Sequence, residues 1–118
     1  MAALGQKPGG GLIILPDSFT DVHRGSIIAL AAQHRLPAVY PYLFFATEGG
    51  LLCYGPDQVD LFRRAAAYVD RVLKGAKPGE LPVQQPNKFE LVINLKTAKA
   101  LGLTIPPSIV ARADTLIE

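Results

Sequence analysis

The fold turns on GLIILPDSFTDVHRGSIIALAAQHRLPAVY, residues 11–40. Gly11 to Leu15 is an unbroken apolar run, the pattern of a strand covered on both faces, as in parallel sheets flanked by helices. Ser18 or Thr20 can then cap a helix, with Asp21 near its positive end. Val22, Ile27, Ile28, Ala31 and Ala32 supply an apolar stripe, and the helix is predicted to end near His34 and Arg35, before Pro37. Pro37 to Tyr40 is too short for a helix and rich in β-formers, so it reads as a second strand. A right-handed parallel crossover is the favoured way to join strand, helix and strand.

Outward from this unit, Tyr42 to Ala46 is an aromatic segment that runs to Gly49 and Gly50, and Leu51 to Tyr54 is a third short strand ending at Gly55-Pro56. Pro56 suits a helix's first turn, and Asp57 and Asp60 suit its positive end. Phe62, Ala65, Ala66, Val69, Val72 and Leu73 follow helical spacing, Asp60 can pair with Arg64 at i,i+4, and Gly75 can terminate. The spacing therefore predicts a helix over 56–74. Residues 75–87, rich in proline and glycine, read as an exposed, extended connection. Phe89 to Asn94 reads as a strand, Lys96 to Leu101 as a short helix closed by Gly102, and Pro106 to Ala113 as a further helical turn. Asp114 to Glu118 is left as an edge strand or a loose end, and residues 1–10, with Gly5, Pro8, Gly9 and Gly10, as a flexible leader.

The bulk numbers agree with one α/β domain. A chain of 118 residues is one core's worth of material, and 49% hydrophobic with 19% charged residues is too apolar for disorder. Twelve basic against ten acidic residues, scattered along the chain, call for no nucleic-acid or membrane-surface partner. The lone Cys53 excludes an intrachain disulfide and reads as a small buried hydrophobe. No basic start followed by an apolar core marks a signal peptide, and no run is long enough to span a bilayer.

For chemistry, Ser18, Ser26 and Ser108 sit in no nucleophile-elbow context, and the glycines match neither a dinucleotide fingerprint nor a phosphate loop. Asp17, Asp21 and His23 are close in sequence, yet across a strand-to-helix turn they need not converge, so capping is the simpler role and no metal or other cofactor is expected. A binding edge has more support. In open parallel sheets, ligands collect beyond the carboxyl ends of the strands. Asp17-Ser18, Tyr42 to Phe45 and Tyr54 to Asp57 leave those ends, where a carboxylate can meet a ligand ammonium and rings can stack on a flat or apolar ligand. Each also has a plain structural reading: Asp17 as cap, Tyr42 and Phe44 as core or interface, Asp57 as dipole partner.

GLIILPDSFTDVHR, LAAQHRLPAVYPY and EGGLLCYGPDQVDLFRRAAAYVDRVLKGAKPGELPVQQPNKFELVINLKTAKALGL, in that order, resemble the C-terminal part of ABC-transporter substrate-binding proteins related to tryptophan and phenylalanine binders. The most specific piece is VDRVLKGAKPGELPVQQPNKFELVINLKTAKALGL, residues 69–103. The resemblance implies a Rossmann-like lobe of a type I periplasmic-binding-protein fold, a mostly parallel sheet flanked by helices. It implies a small-molecule solute, with an aromatic or other amino acid as the candidate, held without catalysis at a cleft to which Asp17, Ser18, Tyr42, Tyr54 and Asp57 contribute. It also implies a membrane permease as partner and a periplasmic or cell-surface location. On this reading residues 11–118 are a partial domain whose N-terminal lobe and export signal lie outside the sequence, and helix 56–74 packs on that opposite lobe. Apolar faces left uncovered drive association, so a homodimer or higher oligomer is expected. The alternative is a stand-alone oligomeric α/β module with a structural or regulatory role and no ligand affinity.

Overall fold

A computed structural model describes residues 1–118. The chain forms two compact units, Met1–Gly55 with Glu90–Glu118, and Pro56–Phe89. Its five strands, β1 (Leu12–Ile13), β2 (Ala38–Tyr40), β3 (Leu52–Pro56), β4 (Phe89–Asn94) and β5 (Thr115–Ile117), lie in the order β1-β2-β3-β4-β5. β1 pairs with β2, β2 with β3 and β4 with β5, all in parallel. Asn94 N–H donates to Leu51 O at 2.9 Å and Asp57 N–H to Lys88 O at 3.0 Å, pairings that run in opposite senses along the chain. The sheet is therefore mixed and mostly parallel, with β3 and β4 antiparallel.

In the first unit the predicted strand, helix and strand are present, with three differences. The first strand is confined to Leu12–Ile13 and is not covered on both faces, since Ile13 and Leu15 are 76% and 70% exposed at the end of the strand order. The helix is two helices, α2 (Ser18–Val22) and α3 (Arg24–Gln33), divided at His23. His23 Nδ1 lies 2.8 Å from Phe19 O, so its side chain bonds locally at the C-terminal end of α2 and the ladder restarts beyond it. The cap is Asp17 rather than Ser18 or Thr20: its Oδ1 accepts from Phe19 N–H at 2.7 Å. Ser18 is the first helical residue, and the Thr20 hydroxyl donates back to Asp17 O at 2.8 Å. Part of the stretch read as a flexible leader, Ala2–Gly5, forms a single helical turn, α1.

The aromatic segment after β2 is helix α4 (Leu43–Thr47). It drives Phe45 into a cluster with Ile28, Ala31, Ala38 and Tyr40, where the Phe45 and Tyr40 rings stack at 5.1 Å. Burying aromatic rings of this size dominates the local energetics. A second cluster joins Ala46, Cys53 and Val92. Asn94, itself buried, is bonded at both polar atoms of its amide: its Nδ2 donates to Ala46 O at 3.0 Å and its Oδ1 accepts from Thr97 N–H at 3.0 Å, capping α6 (Leu95–Ala100). α7 (Pro107–Val110) then leads to β5, where Asp114 Oδ2 accepts from Leu91 N–H at 2.8 Å and Asp114 N–H donates to Leu91 O at 2.8 Å. The chain end is thus an edge strand fastened to its neighbour.

β2 and β3 approach unusually closely at their carboxyl ends. A Cβ on Gly55 would stand 1.8 Å from Pro41 O, a backbone atom with nowhere to go. Only glycine fits there.

The second unit consists of α5 (Gln58–Leu73) and the connector after it. Asp57 caps α5 by accepting from Asp60 N–H at 3.1 Å, and Gly75, at φ +102°, terminates it as the sequence predicts. The expected Asp60–Arg64 pair does not form. Asp60 reaches Arg63 at 3.9 Å, while Arg64 donates to Gln85 O, Asn87 Oδ1 and Gln84 Oε1 at 3.2, 3.1 and 2.9 Å. Tyr68 O–H donates to Pro82 O. The connector is exposed and irregular as read, apart from one 3₁₀ turn at Pro78–Glu80, and is in addition strapped to its helix by these bonds. An apolar cavity of about 430 Å³ lies between them, lined by Tyr68, Val69, Val72, Leu73, Leu81 and Pro82 among others. No helix is long and apolar enough to cross a membrane.

Gly55→Ala is expected to destabilise the protein by about 3 kcal/mol or more, because neither backbone can yield; a urea midpoint equal to that of the unaltered chain would contradict this. The Lys88 ammonium, 2.7 Å from Asp57 Oδ2, holds the Asp57 carboxyl below its usual range, with the Asp60 N–H bond adding to the effect. A depressed folded-state pKa gives stability that is fully present above the unfolded value, about 4, and is lost as pH falls through the folded one. Asp57→Asn should therefore flatten the acid limb of the stability profile below about pH 4, measured by denaturation at stepped pH.

Candidate functional site

The carboxyl edge of β1-β2-β3 follows from the parallel register. Ile13 stands beside Val39, Val39 beside Leu52 and Tyr40 beside Cys53, so the chain leaves β1 through Pro16-Asp17 and β2 through Pro41-Tyr42, while β3 continues through Tyr54 and Gly55 to Pro56. Of the five residues singled out in the sequence, Asp17, Ser18, Tyr42 and Tyr54 occupy this edge of the first unit. Asp57 belongs to the second unit.

Their surroundings differ. Asp17 and Ser18 are exposed, with one Asp17 oxygen engaged by Phe19 N–H. Tyr42 is half-buried, its ring 5.4 Å from that of Phe44, while its carbonyl accepts from the Cys53 thiol at 2.8 Å. Burial pushes that thiol up to about 11, so it stays protonated and serves as a donor under Tyr42. Tyr54 is 58% exposed, unusual for a ring this close to the core. Asp57 is only 8% exposed, and both its oxygens are committed, one to Asp60 N–H and one to Lys88. Its plain reading as a dipole partner is thus realised as a full helix cap plus an ion pair.

The chemistry this edge offers is an exposed carboxylate beside aromatic surface. Phe19, itself exposed, stacks on His23 at 4.2 Å next to Asp17 and enlarges the ring-bearing surface. Sequence reasoning passed over Phe19, although its place two residues after Asp17 in a short helix was a usable signal. It also passed over Arg24, whose Nε–H is shared by both Glu48 oxygens at 2.8 and 2.9 Å and whose guanidinium lies 5.3 Å from the Phe44 ring centre. Nothing in the local sequence links positions 24 and 48. Asp17, Asp21 and His23 do not gather into a group that could hold a metal ion.

Against known proteins, residues 2–117 match the family of ABC transporter substrate binding proteins. A tyrosine-binding protein of Clostridioides difficile is 30% identical over 74 residues, covering 63% of this chain and 21% of that protein. Two solved structures superpose on nearly all of the chain. One is a conserved domain protein from Vibrio cholerae, with a TM-score of 0.89 and 29% identity over 98% of this chain and 38% of that one. The other is the ABC domain of a Streptococcus pneumoniae protein in complex with L-Trp, with a TM-score of 0.88 and 28% identity over 98% of this chain and 39% of that one. The chain spans about two-fifths of the length of these structures and about one-fifth of the curated relative. With the fold and nearly the whole sequence matched, the chain belongs to the ABC transporter substrate binding protein family.

Proposed function

We propose that this chain contributes one wall of an amino-acid site in an ABC-type uptake system and carries out no catalysis. The observation that carries the reading is the exposed Asp17 carboxylate at the carboxyl edge of a parallel sheet, an edge whose register also brings Tyr42 and Tyr54 and to which Phe19 belongs. A carboxylate there suits the α-ammonium of an amino acid, and the rings suit an aromatic side chain. The L-Trp complex of the streptococcal relative and the tyrosine-binding relative support the choice of aromatic amino acids. Asp17, Ser18, Tyr42 and Tyr54 are the contact residues in this proposal, and Asp57 acts by capping α5. The delivering partner is a membrane permease, and the setting is extracytoplasmic, as the family's role implies.

A second reading, a self-associating α/β module without ligand affinity, is favoured by the apolar surface that α5 exposes. Phe62 is 76% and Leu73 82% exposed, an unfavourable arrangement in water unless something covers them. Light scattering at micromolar concentration separates the two: a dimer or larger species fits uncovered faces, and a monodisperse monomer removes the self-associating module.

Calorimetric titration with L-tryptophan, L-tyrosine and L-phenylalanine, with branched-chain amino acids for contrast, tests the binding proposal. It is run on this chain and on a chimaera in which the chain replaces the matching part of the streptococcal relative. Asp17→Asn is expected to weaken binding by about tenfold or more, the scale of a lost charge-assisted hydrogen bond. Heat of binding from neither protein would end the proposal.

A further inference from the structure

Arg24 sits at the joint between the two segments that carry the edge. It is the first residue of α3, directly after the break at His23, and its side chain reaches in two directions. Toward the first segment, Nη1 donates to Asp21 O at 3.0 Å, and Asp21 N–H donates in turn to Asp17 O at 3.0 Å. Toward the second, Nε–H is held by both oxygens of Glu48, the residue that ends α4, whose other end is Tyr42. The guanidinium also lies over Phe44, 5.3 Å from its centre, and Phe44 packs against Tyr42. One side chain therefore touches both ends of the aromatic helix and the helix that Asp17 caps.

We infer that Arg24 is a positioning residue, which sets the Asp17 turn and the Tyr42 ring in a fixed relation through Asp21, Glu48 and Phe44. The inference rests on the proposed binding edge for its functional meaning, but its geometry stands by itself. Arg24 and Glu48 side chains are each 40% exposed, and ion pairs this wet contribute little to folding stability. A contact worth so little to the fold, yet joined to two edge segments at once, acts on geometry. Lysine cannot replace it: the ammonium has no plane to lay on a ring and no fork to reach a carbonyl and a carboxylate together.

The experiment compares the unaltered chain with Arg24→Lys and Glu48→Gln. Nuclear magnetic resonance follows the Phe19 amide, which reports the Asp17 cap, and the Tyr42 ring, and melting temperature is recorded beside them. The chain has no tryptophan, so L-tryptophan fluorescence reports the ligand alone in titrations. Arg24→Lys is expected to shift both the Phe19 amide and the Tyr42 ring, with a melting temperature close to that of the unaltered chain, and to weaken L-tryptophan binding about tenfold. Glu48→Gln, which keeps the Asp21 and Phe44 contacts, should shift the Tyr42 ring and leave the Phe19 amide nearly in place. If Arg24→Lys leaves both signals where they were, or leaves L-tryptophan affinity unchanged in a chain that binds it, the inference is overturned. If Arg24→Lys does not fold, a Tyr42 signal unmoved in Glu48→Gln overturns it. If the unaltered chain binds no aromatic amino acid, the functional proposal is the one that suffers, and the two resonance shifts still decide the positioning role.

Discussion

The contact between the Gly55 backbone and Pro41 O is the constraint on which the rest of the edge depends. A side chain at position 55 would occupy the space of a carbonyl oxygen, so β2 and β3 come this close only because residue 55 lacks one. That closeness sets the point where the chain turns from β2 into α4, and hence where Tyr42 and Phe44 stand. Tyr54, the last side chain before the glycine, alternates with buried Cys53 along β3 and so faces away from the core. The Cys53 thiol reinforces the same junction from below by donating to Tyr42 O.

Much of the architecture could be read from residue patterns because the signals were local. The β-formers between two prolines at 37–41 and the spacing of Gly75 after Leu73 each carry their own physical cause, and each is found where the pattern puts it, whereas the apolar run at 11–15 yields a strand only over Leu12–Ile13 that is not covered on both faces. The interruption at His23 was not legible, because α2 and α3 together have continuous helical composition. At the break His23 leaves helical geometry, at φ −97° and ψ 13°, while its backbone N–H and Nδ1 both meet Phe19 O, an arrangement that helix propensities do not register. The strap on the connector was missed for the opposite reason: Arg64 had a plausible local partner in Asp60, and the structure spends it on residues about 20 positions away.

The candidate edge was legible to the extent that strand ends are. Asp17 and Ser18 follow β1, Tyr42 follows β2 and Tyr54 lies on β3 just past the end of β2, and a parallel register carries them to one side. Asp57 illustrates the limit of such reasoning. A carboxylate after a strand and before a helix looks the same in sequence whether it faces a ligand or caps a helix, and here Asp60 N–H and Lys88 take both its oxygens. The family match carries the functional class, whereas the identity of any solute depends on side chains beyond those that topology alone can align.

The antiparallel step between β3 and β4 has a meaning of its own. Asp57 and Lys88 exchange a backbone hydrogen bond and an ion pair, so the excursion that begins after Gly55 returns to its starting point before the sheet resumes. Topologically, everything from Pro56 to Phe89 is one large hairpin loop with a latch at its neck. Loop length costs little once the neck is closed, since closure entropy grows only logarithmically with the number of residues enclosed. Evolution could therefore lengthen, shorten or exchange the residues between Asp57 and Lys88 while the strand order stayed the same.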